Sequence, residues 1–242
     1  MYQERPSLLR SAVVWQNTAS RGHPVIPDGC MDLVWTPGRL LVAGPDTRAK
    51  TSGAPTGTPY AGVRFAPGTA PALLGVPARE LRDLRVEAGQ LWGGAVARRL
   101  AERVDAAADP AAALEEIALH RAAAAPDGPA PLLGEVVRLL DAGRTVAAVA
   151  DAVGLGARQL HRRSLDAFGY GPKTLARVLR LQRALGYVRD GMPYAAAALA
   201  AGCADQAHLA RETRELAGTT LSAYAVSAKS WTPQPSGSST TA

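Results

Sequence analysis

Apolar positions along the chain follow two different periods, and the change between them divides the sequence. Up to residue 88 the apolar runs are short and alternate with turns rich in Gly and Pro. Short runs between such turns predict β-strands, and they lie at Ser11–Trp15, Met31–Trp35, Arg39–Gly44 and Tyr60–Phe65. We therefore expect residues 1–88 to form a mostly β domain, sandwich- or barrel-like, with short helical turns over residues 69–84.

From residue 89 the apolar positions follow the helical period. Residues 89–123 are Ala-rich and amphipathic, and Asp109-Pro110 is a typical helix start. These helices either pair two copies of the chain or pack on their own β domain, and the pattern leaves both open. Proline and glycine in the following stretch end any helix, which predicts a linker over residues 124–131. Residues 230–242 are of low complexity and are predicted to be a disordered tail.

Residues 132–229 predict an all-α domain in which one short unit occurs twice. Thr145 is the expected cap of an apolar helix, and Gly154 then allows a turn into a second, more polar helix. After a long helix over Lys173–Asp190, the Ala-rich stretch Tyr194–Gly202 and the helix beyond it repeat the arrangement. The whole chain is therefore expected to be of the α+β class.

A helix, a tight turn at glycine and a second helix with one polar face together predict a helix-turn-helix unit. A DNA major groove is wide enough to admit such a second helix. We expect Leu160 and Leu209 to point into the core of the two units. The groove-facing side chains would be Arg158, His161 and Arg162 in the first unit, with Arg163 placed to reach phosphate, and Gln206, Ala207, His208 and Arg211 in the second.

These last hundred residues resemble the DNA-binding domain of the AraC/XylS family of bacterial transcription regulators. The resemblance rests on "VAAVADAVGLGARQLHRR", "GYGP", "RLQRAL", "AALAAGCADQAHLARE" and "AGTTLSAY", in this order. It implies two helix-turn-helix units on one long helix, which read successive major-groove segments on one face of DNA. Ser164 and Thr213 stand where the family carries phenylalanine, and Leu221 stands where it carries proline; these departures affect how tightly the two recognition helices pack.

The amino-terminal region carries less specific signals. Residues 20–95 resemble the corresponding region of a subgroup of AraC-type regulators, which implies an effector or dimerisation domain. Its large flat side chains either line an effector pocket or belong to the ordinary core. Cys30 is either a redox or electrophile sensor or a reduced core thiol. The residues considered for an effector pocket are Trp15, Trp35, Tyr60, Trp92 and Cys30.

Charge and composition narrow the classes of function. The net charge of +6 suits a nucleic acid partner, but nearly all basic residues are arginines in an Ala-, Gly- and Pro-rich composition typical of a GC-rich genome, as in actinobacteria. Basic residues concentrate in the first unit and the long helix, so we expect the first unit to dominate affinity. Two cysteines make neither a disulfide framework nor a zinc finger, and His23, Asp28, Cys30 and Asp32 lack recurrent ligand spacing, so no metal or cofactor is expected.

The sequence thus predicts a sequence-specific transcription regulator that binds double-stranded DNA and is not an enzyme. Such a regulator could bind a small-molecule effector through its amino-terminal domain and could form a homodimer. The start of the chain lacks a signal peptide and no apolar run spans a bilayer, which predicts a cytoplasmic protein without a membrane partner. The alternative is a small-molecule-modifying or thiol-sensing protein with secondary DNA binding. The sequence offers this alternative no nucleophile motif, phosphate-binding loop or metal-binding motif.

Overall fold

An antiparallel sheet forms the first half of the fold. The computed structural model describes residues 2–19, 24–51, 54–125 and 130–229; His23, residues 126–129 of the predicted linker and the predicted tail 230–242 lie outside these ranges. The sheet has six strands in the order β1-β2-β5-β3-β4-β6. The strands are β1 (Gln3–Pro6), β2 (Ala12–Thr18), β3 (Met31–Thr36), β4 (Arg39–Ala43), β5 (Pro59–Phe65) and β6 (Arg85–Glu87).

Helices make up most of the described chain after β5. Five belong to the β domain: α1 (Ala70–Leu74), α2 (Ala78–Leu81), α3 (Ala88–Trp92), α4 (Gly94–Asp105) and α5 (Pro110–Ala124). Seven more are α6 (Pro131–Asp141), α7 (Val146–Ala152), α8 (Ala157–Phe168), α9 (Pro172–Arg189), α10 (Tyr194–Ala200), α11 (Gln206–Ala217) and α12 (Leu221–Lys229). The predicted α+β class is confirmed.

Alternation along the strands places one face of the sheet against α4 and α5. Leu33 and Val63 on this face are almost completely buried, and they belong to one core with Leu114 and Ile117 of α5. The cap of α5 is Asp109, whose carboxylate accepts hydrogen bonds from two amides of the first turn. Of the two placements that the pattern of residues 89–123 left open, the structure shows these helices packed on their own β domain.

The opposite face of the sheet carries a buried group of charges. Arg64 of β5 is only 7% exposed, and its Nε lies 3.1 Å from Asp32 and 3.5 Å from Asp28. The indole of Trp15 lies over Gly62 and donates a 2.7 Å hydrogen bond to Asp32. A buried guanidinium needs such carboxylate partners because an unpaired buried charge is strongly unfavourable.

The helices α6–α12 have two cores that share one helix. Leu175 and Val178 of α9 belong to the core with α6, α7 and α8, which we call the first unit. Leu181, Leu185 and Val188 of the same helix belong to the core with α10, α11 and α12, which we call the second unit. Helix α9 therefore joins the two units as one rigid element.

The β domain contacts both units directly. Gly169 at the end of α8 packs so closely on Pro45 and Ala78 that a Cβ there would lie 2.6 Å from the proline ring. Gln182 of α9 donates a 2.6 Å hydrogen bond to the carbonyl of Pro27. The amide of Ala49 donates a 2.7 Å hydrogen bond to the carbonyl of Leu216 in α11. These contacts hold the two units against one domain.

Close packing at Gly44 provides a test of this fold. A Cβ at Gly44 would lie 1.7 Å from the carbonyl oxygen of Leu81. Backbone cannot move aside cheaply, so we expect Gly44→Ala to lower the free energy of unfolding by at least ~1–3 kcal/mol, measured by urea denaturation. The matched control is Gly134→Ala in α6, where a Cβ meets open space, and this change should raise it by about 0.5–1 kcal/mol. Equal effects of the two substitutions would contradict the described packing.

Candidate DNA-binding surface

The first unit presents a short polar helix after a tight turn. Thr145 caps α7 by accepting a hydrogen bond from the amide of Ala148 at 3.2 Å. Gly154 has a φ of +65°, a backbone conformation that glycine adopts without strain. Helix α8 then starts after Gly156, and its Leu160 is 1% exposed. Burial of Leu160 turns the opposite side of α8 towards solvent.

The side chains of α8 that were predicted to face the DNA groove lie on this solvent side. Arg158, His161, Arg162 and Arg163 are all exposed, and none forms an ion pair with another described residue. The ring of His161 lies against Gly171, where a Cβ would come within 2.8 Å of it. The guanidiniums are thus available to a partner, and the glycine leaves room for the imidazole.

The second unit repeats the arrangement with a different cap. Asp205 caps α11 by accepting a 2.6 Å hydrogen bond from the amide of His208, and Leu209 is fully buried. Of the residues predicted to face the DNA groove, Gln206, Ala207 and Arg211 are exposed. His208 is half-buried, and its Nδ1 accepts a 3.3 Å hydrogen bond from the amide of Ala204. Its imidazole is therefore held in the turn more firmly than the others.

A buried carboxylate fixes α11 on α9. Glu212 is 4% exposed, and it accepts hydrogen bonds from Arg180 at 2.5 and 3.1 Å and from Arg177 at 3.1 Å. Arg177 also pairs with the exposed Glu215 at 2.5 Å. Burial alone would raise the pKa of Glu212, but the hydrogen bonds from the two guanidiniums outweigh it and lower the pKa. The sequence motifs do not point to this centre, although Glu212 follows Leu209 by three residues and so lies on the inward side of α11.

The same carboxylate is part of a group of metal-ligand side chains. Ligand atoms of Cys203, His208 and Glu212 lie within 4.8 Å of one another, the one such group in the described ranges. However, both guanidiniums already bind Glu212, and Nδ1 of His208 accepts a backbone hydrogen bond, which places the ring proton on the nitrogen facing Glu212. We therefore interpret the group as an ion-pair centre and not as a cation site.

The side chains considered for an effector pocket lie in different surroundings. Trp35 lies in the core and donates a 2.8 Å hydrogen bond to Asp105. Trp92 lies under the guanidinium of Arg121 at 4.0 Å, and Tyr60 is near the start of β5. Trp15 and Cys30 meet the charges of the opposite face of the sheet: Trp15 contacts Asp32, and the amide of Cys30 donates to Asp28 at 2.9 Å. Burial, followed by the charge of Asp28, raises the pKa of the Cys30 thiol well above its ordinary value.

Two family profiles match separate parts of the chain. A family profile described as a helix-turn-helix domain matches residues 133–226, and one described as a domain of unknown function (DUF6597) matches residues 10–87. A search of curated proteins gives no match. No helix in the described ranges is long and apolar enough to cross a membrane.

Solved structures of ToxT from Vibrio cholerae share the fold. An apo variant of ToxT from strain SCE256 is 10% identical, with a TM-score of 0.51 over 91% of this chain and 99% of that chain. ToxT from strain O395 bound to (E)-4-(8-methylnaphthalen-1-yl)but-3-enoic acid is 9% identical, with a TM-score of 0.51 over 94% and 99%. At such low identity the likeness is one of fold.

Ser164 and Thr213, which stand where the family carries phenylalanine, test how the recognition helices pack. Ser164 is 1% exposed, and its hydroxyl has no hydrogen-bond partner among the described residues. Ser164→Ala should therefore raise the free energy of unfolding by about 1 kcal/mol, measured by thermal or urea unfolding. Thr213 is equally buried, but its hydroxyl bonds the carbonyl of Leu209 at 2.8 Å. Thr213→Ala should lower stability by about 1 kcal/mol, and a loss from both substitutions would contradict the described packing of α8.

The Glu212 centre predicts a defined pH dependence. Because its pKa is below the ordinary 4.5, the charged carboxylate contributes stability above pH 4.5, and this contribution is lost as the pH falls through the lowered pKa. Glu212→Gln should cost about 1–3 kcal/mol at neutral pH, and the difference from wild type should shrink below pH 4.5. Glu215→Gln, at a side chain 62% exposed, is the control and should cost less than 1 kcal/mol. A loss for Glu212→Gln that is the same at acid and neutral pH would contradict this role.

Proposed function

We propose that the chain is an AraC-type, sequence-specific transcription regulator that reads two major-groove segments with α8 and α11, a proposal that the helix-turn-helix match over residues 133–226 supports. The observation that carries the proposal is the pair of exposed polar faces at the starts of two helices whose other sides are buried. Helix α9 has 18 residues, which span ~27 Å at ~1.5 Å per residue. This length is close to the ~34 Å of one DNA turn.

Specific roles follow from the chemistry of the exposed side chains. Arg158 and Arg162 offer planar donors that match the acceptors of guanine in the major groove, and Gln206 matches adenine. Ala207 suits the methyl group of thymine. Arg163, at the border of the exposed face of α8, is assigned to phosphate. His161, His208 and Arg211 complete the proposed contact set.

The β domain is proposed to be the effector domain. Support comes from its direct contacts with α8, α9 and α11, through which a change in the sheet can reach both units. ToxT, which shares the fold, was solved bound to an organic acid. One chain presents both recognition helices, so the proposal does not require a homodimer.

The alternative of a thiol-sensing or small-molecule-modifying protein has less support. A reactive thiol needs to be a thiolate near neutral pH. Cys30 and Cys203 are both buried, and burial raises the pKa of each. Among the described residues the two thiols are thus poorly suited to react, and we propose that the protein is not an enzyme.

Selection of genomic fragments with the full-length protein, followed by footprinting, tests the proposed function. We expect protection of two segments about one turn apart on one face of the duplex. Binding that shows no preference for any fragment over random DNA would contradict a sequence-specific regulator.

Two neighbouring arginines on α8 separate base reading from phosphate binding. Arg162→Ala should weaken binding to the selected fragment by ~1–3 kcal/mol and relax the preference at one base position. Arg163→Ala is the matched comparison and should weaken binding equally on all sequences while lowering the salt slope by about 0.9. Anisotropy titrations on selected and random duplexes measure both. If Arg162→Ala also acts equally on all sequences, its assignment to a base is wrong.

A further inference from the structure

An open cleft of about 740 Å³ separates the two units, and it is distinct from the exposed face of α8. Helix α9 forms its floor. The end of α6 and the start of α7 form one wall, and α11 with the turn before it forms the other. The basic side chains in its lining are Arg144, Lys173, Arg177, Arg180, Arg183 and Arg211.

Half of these cations already have acidic partners. Arg177 and Arg180 bind Glu212 and Glu215, and Arg183 binds Asp141. The pairs on the floor hold their guanidiniums in fixed positions.

The other three cations lie at the walls and at one end of the floor. Arg144, Lys173 and Arg211 are exposed, and none of them forms an ion pair with another described residue. The cleft therefore keeps a net positive charge after its internal pairs are counted.

We propose that this cleft binds the sugar-phosphate backbone of the DNA between the two major-groove segments. The inference rests on the proposed function, because Arg211 both lines the cleft and belongs to the contact set of α11. A duplex that reaches α8 and α11 together has to pass the space between the units. The negative phosphates of this duplex complement the three positive side chains that have no acidic partner among the described residues. Contacts of this kind do not depend on the base sequence of the DNA.

Lys173 and Arg144 carry the test because neither belongs to the predicted reading faces. The probe is a random-sequence duplex of about 30 bp, long enough for two turns, bound to full-length protein and followed by fluorescence anisotropy. Arg144→Ala and Lys173→Ala should each lower the salt slope by about 0.9, so that the wild-type loss of affinity between roughly 50 and 200 mM salt shrinks about 3.5-fold per contact. Arg99→Ala, at an exposed arginine of α4 in the β domain, is the matched control and should change neither affinity nor slope.

A fourth variant distinguishes phosphate binding from a structural role. Glu215→Gln removes a negative charge from the cleft and releases one bond of Arg177. It should tighten binding to the random duplex, a gain that structural damage would not produce. Circular dichroism checks that all variants fold.

The outcomes separate this inference from the function on which it rests. Wild-type affinity and slope in both Arg144→Ala and Lys173→Ala, with wild-type protein binding the duplex, would overturn the cleft proposal and leave the regulator proposal intact. Loss of binding to inorganic phosphate or a short polyphosphate in these variants, without an effect on DNA, would also overturn it and assign the cleft to a small anion. Failure of the wild-type protein to bind the duplex even at low salt would count against both.

Discussion

The fold of the carboxy-terminal domain depends on one constraint, the sharing of the buried face of α9 between two cores. Leu175 and Val178 pack in the first unit, and Leu181, Leu185 and Val188 pack in the second. A continuous helix of 18 residues cannot bend freely between these two sets. The separation of α8 and α11 is therefore set by helix geometry, and each unit depends on the other for part of its hydrophobic stabilisation.

Polar contacts add orientation to this separation. Glu212 holds α11 on α9 through Arg177 and Arg180, and the β domain contacts α8, α9 and α11. These ion pairs also reduce the number of arginines on α9 that are free to bind DNA. The expectation that the first unit dominates affinity treats the arginines of α9 as free. However, Arg177 and Arg180 are paired with two acids of the second unit, Glu212 and Glu215. The difference in free cations between the units is smaller than composition indicates.

The local pattern of apolar and polar residues predicts much of this structure, but it does not predict which distant parts of the chain pair with each other. Four of the strands correspond to apolar runs in the sequence, and the glycine turns place both recognition helices. Strands β1 and β6 were not predicted, because Gln3–Pro6 is exposed and polar and Arg85–Glu87 is only three residues long. Strand β1 pairs with the next strand, β2, whereas β6 pairs with β4, which lies far earlier in the chain. The charges around Arg64 were invisible for the same reason, since Asp28 and Asp32 come from another part of the sequence.

The central claim is that the two units bind as one rigid reader, and operator spacing tests it most directly. About five base pairs inserted between the two segments of a selected fragment turn one segment to the opposite face of the duplex. The account predicts that affinity for the expanded fragment falls to that of a fragment with one intact segment, and that an insertion of a full turn, about ten base pairs, does not restore it, because α9 has a fixed length. Unchanged affinity after the five-base-pair insertion would contradict the account.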